Sequence, residues 1–258
     1  MINLDIALSK KFKRAKPFNH IVIDDFLDLE FAKKLEESFF EYDSDKWHSY
    51  SNSIEEKKTC NVWNEFNDIL YSYFNEINSP EFVELLSQFV GETLIADAGL
   101  HGGGLHIHSA GGNLNPHLDY SIHPKLQLQR KINIIYYCSS DNALIESKGG
   151  LLGLWEGDAV QPMKLIKGIE PKFNRVVIFD TTQNSWHGLV NPLPAGTDVL
   201  RKSLASYYLC KPSQYCDQRT RAKFAPRDDQ KGDAKVLATI DKRSSESSYS
   251  DVYVVADE

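Results

Sequence analysis

The sequence predicts a mixed α and β protein, a double-stranded β-helix (jelly roll) core with supporting helices at its N-terminal side. Three observations carry that expectation. Between Asp28 and Gly91, apolar residues recur three and four positions apart, the spacing of one helix face. Beyond Gly91, Val, Ile, Leu, Tyr and Phe come instead in short runs with no helical period. Gly, Asn, Asp and Pro separate those runs, and about eight strands joined by such turns suit two antiparallel sheets packed as a jelly roll.

The elements follow in chain order. His20-Ile21-Val22-Ile23 reads as a short strand closed by Asp24-Asp25. Asp28 is a helix N-cap with Glu30 in the first turn, and Phe31, Leu35 and Phe39 give a helix over roughly Leu29 to Glu41. Tyr42 to Cys60 mixes Trp47, His48 and Tyr50 with Ser, Asn and Lys, and reads as a long functional or mobile loop. Trp63, Phe66, Leu70 and Phe74 mark a second helix, about Val62 to Asn78; Ser79 caps a third, with Pro80 in its first turn and Phe82, Leu85, Leu86 and Phe89 on one side. Strands are expected at Gly104–Ser109, Asn115–Tyr120, Lys131–Cys138, Gly150–Trp155, Met163–Lys167, Asn174–Asp180, Ser185–Leu189 and Leu200–Cys210. The polar stretch after Pro212 is expected to be irregular or partly mobile, with Val252-Tyr253-Val254-Val255 as a last edge strand. This gives one domain over residues 1–258: a helical part at about 28–92, a jelly-roll core at about 100–210 and a tail at about 212–258.

Length and charge bound the function. A chain of 258 residues buries a large core without disulfides or structural zinc. The net charge of −7, with Lys and Arg scattered, indicates no nucleic-acid or membrane partner. Cys60, Cys138, Cys210 and Cys216 fit neither a disulfide framework nor a Cys-x-x-Cys metal site. Met1 to Lys16 lacks the apolar core of a secretory signal, and no run is long enough to span a bilayer. A cytoplasmic enzyme with reduced thiols is expected.

Chemistry concentrates around Asn115-Pro116-His117-Leu118-Asp119-Tyr120. On a strand, His117 and Asp119 point to one face and would grip a metal ion from one side. A second imidazole would complete a two-His, one-carboxylate facial triad, which leaves coordination positions open for a cosubstrate and O2. Alone, a His-x-Asp pair is more often a surface or hydrogen-bonded pair. His187, after the apolar run Val176-Val177-Ile178-Phe179, is the candidate third ligand. Arg201 and Ser203 then share one strand face, and an inward-pointing Arg in a β core needs an anionic partner such as a dicarboxylate.

Together His117-x-Asp119, His187, and Arg201 with Ser203 resemble the Fe(II)/2-oxoglutarate-dependent oxygenases, in their prolyl 4-hydroxylase-like branch. Arg130 to Tyr137 followed by Gly149-Gly150-Leu151-Leu152 is similar to that family's strand-then-Gly-Gly segment, and Ile169 to Phe179 to the segment before the distal His. Pro17 to Leu27 is similar to its N-terminal entry, so the resemblance spans roughly residues 17 to 210. It implies Fe(II) held by His117, Asp119 and His187, and 2-oxoglutarate paired through its distal carboxylate with Arg201. Tyr137 would hydrogen-bond the same carboxylate, with Ser203 assisting, Asn133 on the Tyr137 face and Tyr207 lining the pocket. It further implies O2 consumption, release of succinate and CO2, and ascorbate as reductant. Asp119 favours hydroxylation, because members that halogenate lack that carboxylate. Ile107 and Leu114 stand where some prolyl hydroxylases carry pocket tyrosines.

Two other readings stay open. His106 and His108 form a His-x-His pair, which suits a cupin-type metalloenzyme that does not use 2-oxoglutarate, although no Glu follows within Ser109 to Pro116. A non-catalytic jelly-roll module binding a ligand is the other. His20, His48, His101 and His123 read as surface or loop residues, with His123 close enough to meet substrate. The Trp47–Cys60 and Ser121–Gln129 segments are the expected substrate contacts. A prolyl or other amino-acid side chain in a polypeptide, a free amino acid, and a sugar or other small metabolite are all candidate substrates.

Overall fold

The computed structural model describes residues 2–141, 143–144, 149–196 and 198–245. The N-terminal part runs α1 (Ser9–Arg14), β1 (His20–Ile23), α2 (Leu29–Glu37), β2 (His48–Ser51), β3 (Glu55–Cys60), α3 (Asp68–Ile77) and α4 (Pro80–Val90). Then come β4 (Ile95–Ala96), β5 (Gly104–His108), β6 (Asn113–Leu114), β7 (His117–Leu118), β8 (Gln129–Tyr137) and β9 (Leu152–Gly157). The chain continues through β10 (Pro162–Ile169), β11 (Arg175–Asp180), β12 (His187–Leu189), β13 (Arg201–Cys210), β14 (Lys223–Phe224) and α5 (Ala234–Ser244).

The strands form two antiparallel sheets, the jelly roll expected from the strand count. The larger is ordered β1-β11-β8-β13-β5-β3-β2, with β4 on β13 and β6 on β3; the smaller is β10-β9-β12-β7-β14. Alternation divides the large sheet's faces. Leu105, Ile107, Ile132, Ile134, Tyr136, Val176, Ile178, Leu204 and Tyr208 pack with Phe12, Leu35, Phe74, Leu86 and Phe89 of the helices. Each fully buried apolar side chain there contributes roughly 1.5–3 kcal/mol. The opposite face, with His106, His108, Asn133, Ile135, Arg201, Ser203, Ala205 and Tyr207, lines a cavity of about 520 Å³ against the smaller sheet.

Caps explain where the helices differ from the expected bounds. Ser38 donates its hydroxyl to Lys34 O and ends α2 at Glu37, short of Glu41. Asn67 accepts from Leu70 N at 3.0 Å and starts α3 at Asp68; Trp63–Glu65 before it is a separate 3-10 turn. The expected loop from Tyr42 to Cys60 contains the β2–β3 hairpin, whose turn is held by Asn52 Oδ1 accepting from Ile54 N and Glu55 N. Its strands carry charged side chains on the cavity face, so no apolar alternation announces them. The expected irregular tail contributes β14, paired with β7, and α5, capped by Asp233. Val236 and Phe224 anchor it against Ile54. The edge strand expected at Val252 to Val255 lies outside the described residues. His20, expected at the surface, is a buried strand residue paired with Phe179.

Candidate metal centre

β7 and β12 are neighbours in the smaller sheet, and His117 and His187 are direct Cα partners across them. Their ring centroids lie 4.3 Å apart. Asp119 follows β7, and its carboxylate reaches both rings: Oδ1 is 3.6 Å from His117 Nε2 and Oδ2 is 3.6 Å from His187 Nε2. One ligand atom from each residue lies within 4.8 Å of the others. The structure thus gathers three residues that the sequence spreads over seventy positions.

The donor set fits a divalent metal. His117 Nδ1 is 2.9 Å from Asn115 O, and His187 Nδ1 is 2.9 Å from Ser185 O. A carbonyl oxygen only accepts, so both rings carry the proton on Nδ1 and turn the Nε2 lone pair toward Asp119. Burial, followed by the neighbouring His117, pushes the His187 imidazole down to about 4, so it is neutral at pH 7 as a ligand must be. Burial opposes charge on Asp119, but Arg130 and then the imidazoles outweigh it and hold the carboxyl well below the usual carboxylate range. Arg130 Nη2 lies 3.5 Å from Asp119 Oδ2, and Asn133 Nδ2 donates to the same oxygen at 3.4 Å. Arg219 Nη2 donates to Asp119 O at 2.7 Å. Phe224 stacks on His117 with ring centroids 5.1 Å apart.

Arg201 opens β13 and enters the same cavity, 4% exposed, while Lys202 turns to the helix side and donates to Glu36 O. Arg201 Nε donates to Gly150 O at 2.9 Å, and Nη2 donates to Tyr137 OH at 3.3 Å. Gly150 holds φ at +66°, and a Cβ there would stand 2.9 Å from Arg201 Cδ, so this glycine makes room for the guanidinium. Ser203 lies on the cavity wall two residues along β13, opposite Tyr137. Asn133 lies at the Asp119 carboxylate, on the far side of Ile135 from Tyr137, and Tyr207 lines the cavity and donates to Gly102 O.

Other expectations need correction. Ile107 packs into the helix-side core; the pocket residues of β5 are His106 and His108, because alternation turns Ile107 away. Leu114 does line the cavity. His123 is buried, its Nδ1 accepting from Lys125 N and Leu126 N, and it is absent from the cavity wall. Of the Trp47–Cys60 segment, His48, Tyr50, Glu55, Lys57 and Thr59 line the cavity. Ser121 and Gln129 instead line a second, more open cavity of about 500 Å³ that meets the first at Asp119, Tyr120 and Arg130.

Arg130 is the principal residue that sequence reasoning missed. It is 3% exposed, and its guanidinium carbon lies 3.1 Å from the Tyr207 ring centroid and 4.4 Å from that of Tyr120. Strict alternation with Ile132 and Ile134 would aim it at the helices. The register shift opposite Tyr208 and Leu209 leaves Lys131 as an extra residue, and Arg130 turns to the cavity.

Residues 103–209 match the model of the 2OG-Fe(II) oxygenase superfamily. Among solved structures, a prolyl-4-hydroxylase from Pseudomonas putida is 15% identical, covering 80% of this chain and 99% of its own at a TM-score of 0.58. A prolyl hydroxylase from Trichoplax adhaerens, in complex with a hypoxia inducible factor oxygen degradation domain peptide fragment, is 17% identical, covering 79% and 90% at 0.54. HygX from Streptomyces hygroscopicus, with nickel, 2-oxoglutarate and hygromycin B bound, is 10% identical, covering 80% and 88% at 0.54. At these identities the likeness is one of fold. The comparison with curated proteins finds no match.

Proposed function

We propose that this protein, whose residues 103–209 match the 2OG-Fe(II) oxygenase superfamily model, hydroxylates an unactivated C–H bond of a polar substrate and releases succinate and CO2. The observation that carries the reading is a complete His117, Asp119, His187 set on the wall of a cavity that also contains Arg201. His117, Asp119 and His187 would hold Fe(II), and Arg201, Tyr137 and Ser203 would hold the distal carboxylate of 2-oxoglutarate. The chemistry supplied by bound Fe(II) is activation of O2: one oxygen atom ends in succinate and the other in the hydroxylated product.

The chain's own residues bind and orient. The backbone carbonyls of Asn115 and Ser185 fix both imidazoles, and Arg130 and Asn133 keep Asp119 ionised and aimed. Gly150 O and Tyr137 OH fix Arg201, which selects a dicarboxylate. Ile135, Leu152, Leu189 and Phe224 supply apolar wall that excludes water.

His48, Thr59, Asn61 and His101 at the same cavity suit a polar substrate, with a prolyl or other amino-acid side chain foremost. The prolyl hydroxylase with a bound peptide fragment supports a polypeptide, and HygX with hygromycin B bound supports a small metabolite as the alternative. A cytoplasmic setting is supported by four cysteines that are all free. Among the described residues no helix is long and apolar enough to cross a membrane. The test is succinate release, with Fe(II) and 2-oxoglutarate each omitted in turn, across peptide and metabolite pools. Turnover that persists without 2-oxoglutarate would refute the reading.

A further inference from the structure

The large sheet presents to the cavity a row of side chains that the metal ligands leave unexplained. β5 lies between β3 and β13, with His106 opposite Ser203 on one side and Thr59 on the other, and His108 opposite Arg201. Lys57, two residues before Thr59, faces the cavity at the His108 end of β5. His108 is 2% exposed, and neither Nδ1 nor Nε2 has a hydrogen-bond partner among the described residues. His106 Nε2 also lacks one. An imidazole that gives up water at both nitrogens without replacement is costly, so a ligand of matching chemistry is expected in front of it.

Arg201 narrows that chemistry. Its Nε hydrogen goes to Gly150 O and one Nη2 hydrogen to Tyr137 OH, so the side-on fork of the guanidinium is already taken. A carboxylate offers about four lone-pair sites, more than the remaining Nη hydrogens satisfy. The residue abreast of Arg201 on the next strand is His108.

Resting on the reading that 2-oxoglutarate is the cosubstrate, we propose that His108 donates a ring N–H to its distal carboxylate beside Arg201, with His106 lining the same subsite. Burial, then the charges of Arg201 and Lys57, holds the His108 imidazole well below its usual range. Burial and Lys57 push His106 down to about 3. Both rings are neutral at pH 7, so the subsite gains a hydrogen-bond donor without adding another cation between Arg201 and Lys57. A keto acid with no distal carboxylate has nothing to offer His108.

The test uses the Mn(II)-loaded, O2-free protein, titrated by calorimetry with 2-oxoglutarate and with 2-oxopentanoate, which keeps the metal-chelating end and lacks the distal carboxylate. His108→Phe is expected to weaken 2-oxoglutarate about tenfold, as loss of a charge-assisted hydrogen bond does, and to change 2-oxopentanoate less than twofold. His108→Asn, which keeps an N–H donor, is expected to recover part of the loss, and it carries the test if the Phe variant does not fold. Equal weakening of both keto acids, or of neither, would overturn the proposal. A wild-type protein that binds no 2-oxoglutarate would overturn the oxygenase reading itself and this subsite with it.

Discussion

Replacing Arg201 with Ala should raise the dissociation constant for 2-oxoglutarate by roughly 30- to 150-fold. Removing one partner of a buried, hydrogen-bonded charge pair costs about 2–5 kcal/mol. The lower half of that range applies, because burial disfavours the Arg201 charge and deletion relieves that cost. About 2–3 kcal/mol corresponds to the stated factor. Tyr137→Phe leaves the guanidinium but removes the oxygen 3.3 Å from Nη2, and a single neutral hydrogen bond of about 1 kcal/mol predicts roughly fivefold. Lys202→Ala is the control: Lys202 Nζ donates to Glu36 O at 3.3 Å on the opposite face of β13, so 2-oxoglutarate binding should move less than twofold. Calorimetric titration of the Mn(II)-loaded protein without O2 reads all three. An Arg201→Ala protein within threefold of wild type, or a large loss in Lys202→Ala, would refute the pocket assignment.

Asp119→Ala and His187→Ala should each abolish succinate release that depends on Fe(II) and 2-oxoglutarate while the far-UV circular dichroism stays native; retained turnover would show that the ligands lie elsewhere. Glu55→Gln should destabilise the fold by about 3–5 kcal/mol, because Lys57 at 3.5 Å and Arg243 at 3.0 Å both lose the buried carboxylate they share. Urea unfolding checks this, and a loss under about 1 kcal/mol would contradict it. The metal-free protein should lose stability as pH falls below about 6.5. His106 and His187 bind their protons only near pH 3 and pH 4 when folded, so between those values and 6.5 the unfolded chain binds more protons. Each such His removes about 1.4 kcal/mol per pH unit in that window. His106→Asn should flatten the slope by its share, measured as urea midpoints at pH 7, 6 and 5.

What could be read in advance depended on whether a residue's neighbours in sequence shared its environment. β8 and β13 alternate helix-packed Ile132, Ile134, Leu204 and Tyr208 with cavity residues Asn133, Arg201 and Ser203, so parity alone separates Arg201 from Lys202. Parity also carries an error where the ladder is irregular: the extra residue at Lys131 reverses Arg130. The β2–β3 hairpin escaped detection because its cavity face needs Lys57, Thr59 and Glu55 rather than apolar side chains, and a polar strand looks like a loop. His20 and His123 are buried because one ring nitrogen of each meets nearby backbone, Phe18 O and the N–H groups of Lys125 and Leu126, and the other faces a charged group distant in sequence, Lys167 Nζ at 3.3 Å and Asp97 Oδ2 at 3.6 Å, which no sequence pattern displays. Helix α5 rests on a small cluster around Ile54 and Phe224, distant in sequence, and its few apolar residues give little warning.

The late position of β14 and α5 sets an order of events during synthesis. The three candidate ligands and Arg201 all precede residue 202, whereas Phe224 against His117 and Arg243 against Glu55 come afterwards. A chain emerging from the ribosome therefore leaves the face of the His117 ring uncovered until β14 is released and pairs with β7. For that interval, chelation would meet a half-walled cleft open to solvent. Completion of β14 and α5 therefore marks the point at which the cavity holding the three candidate ligands gains the wall that Phe224 and Arg243 supply.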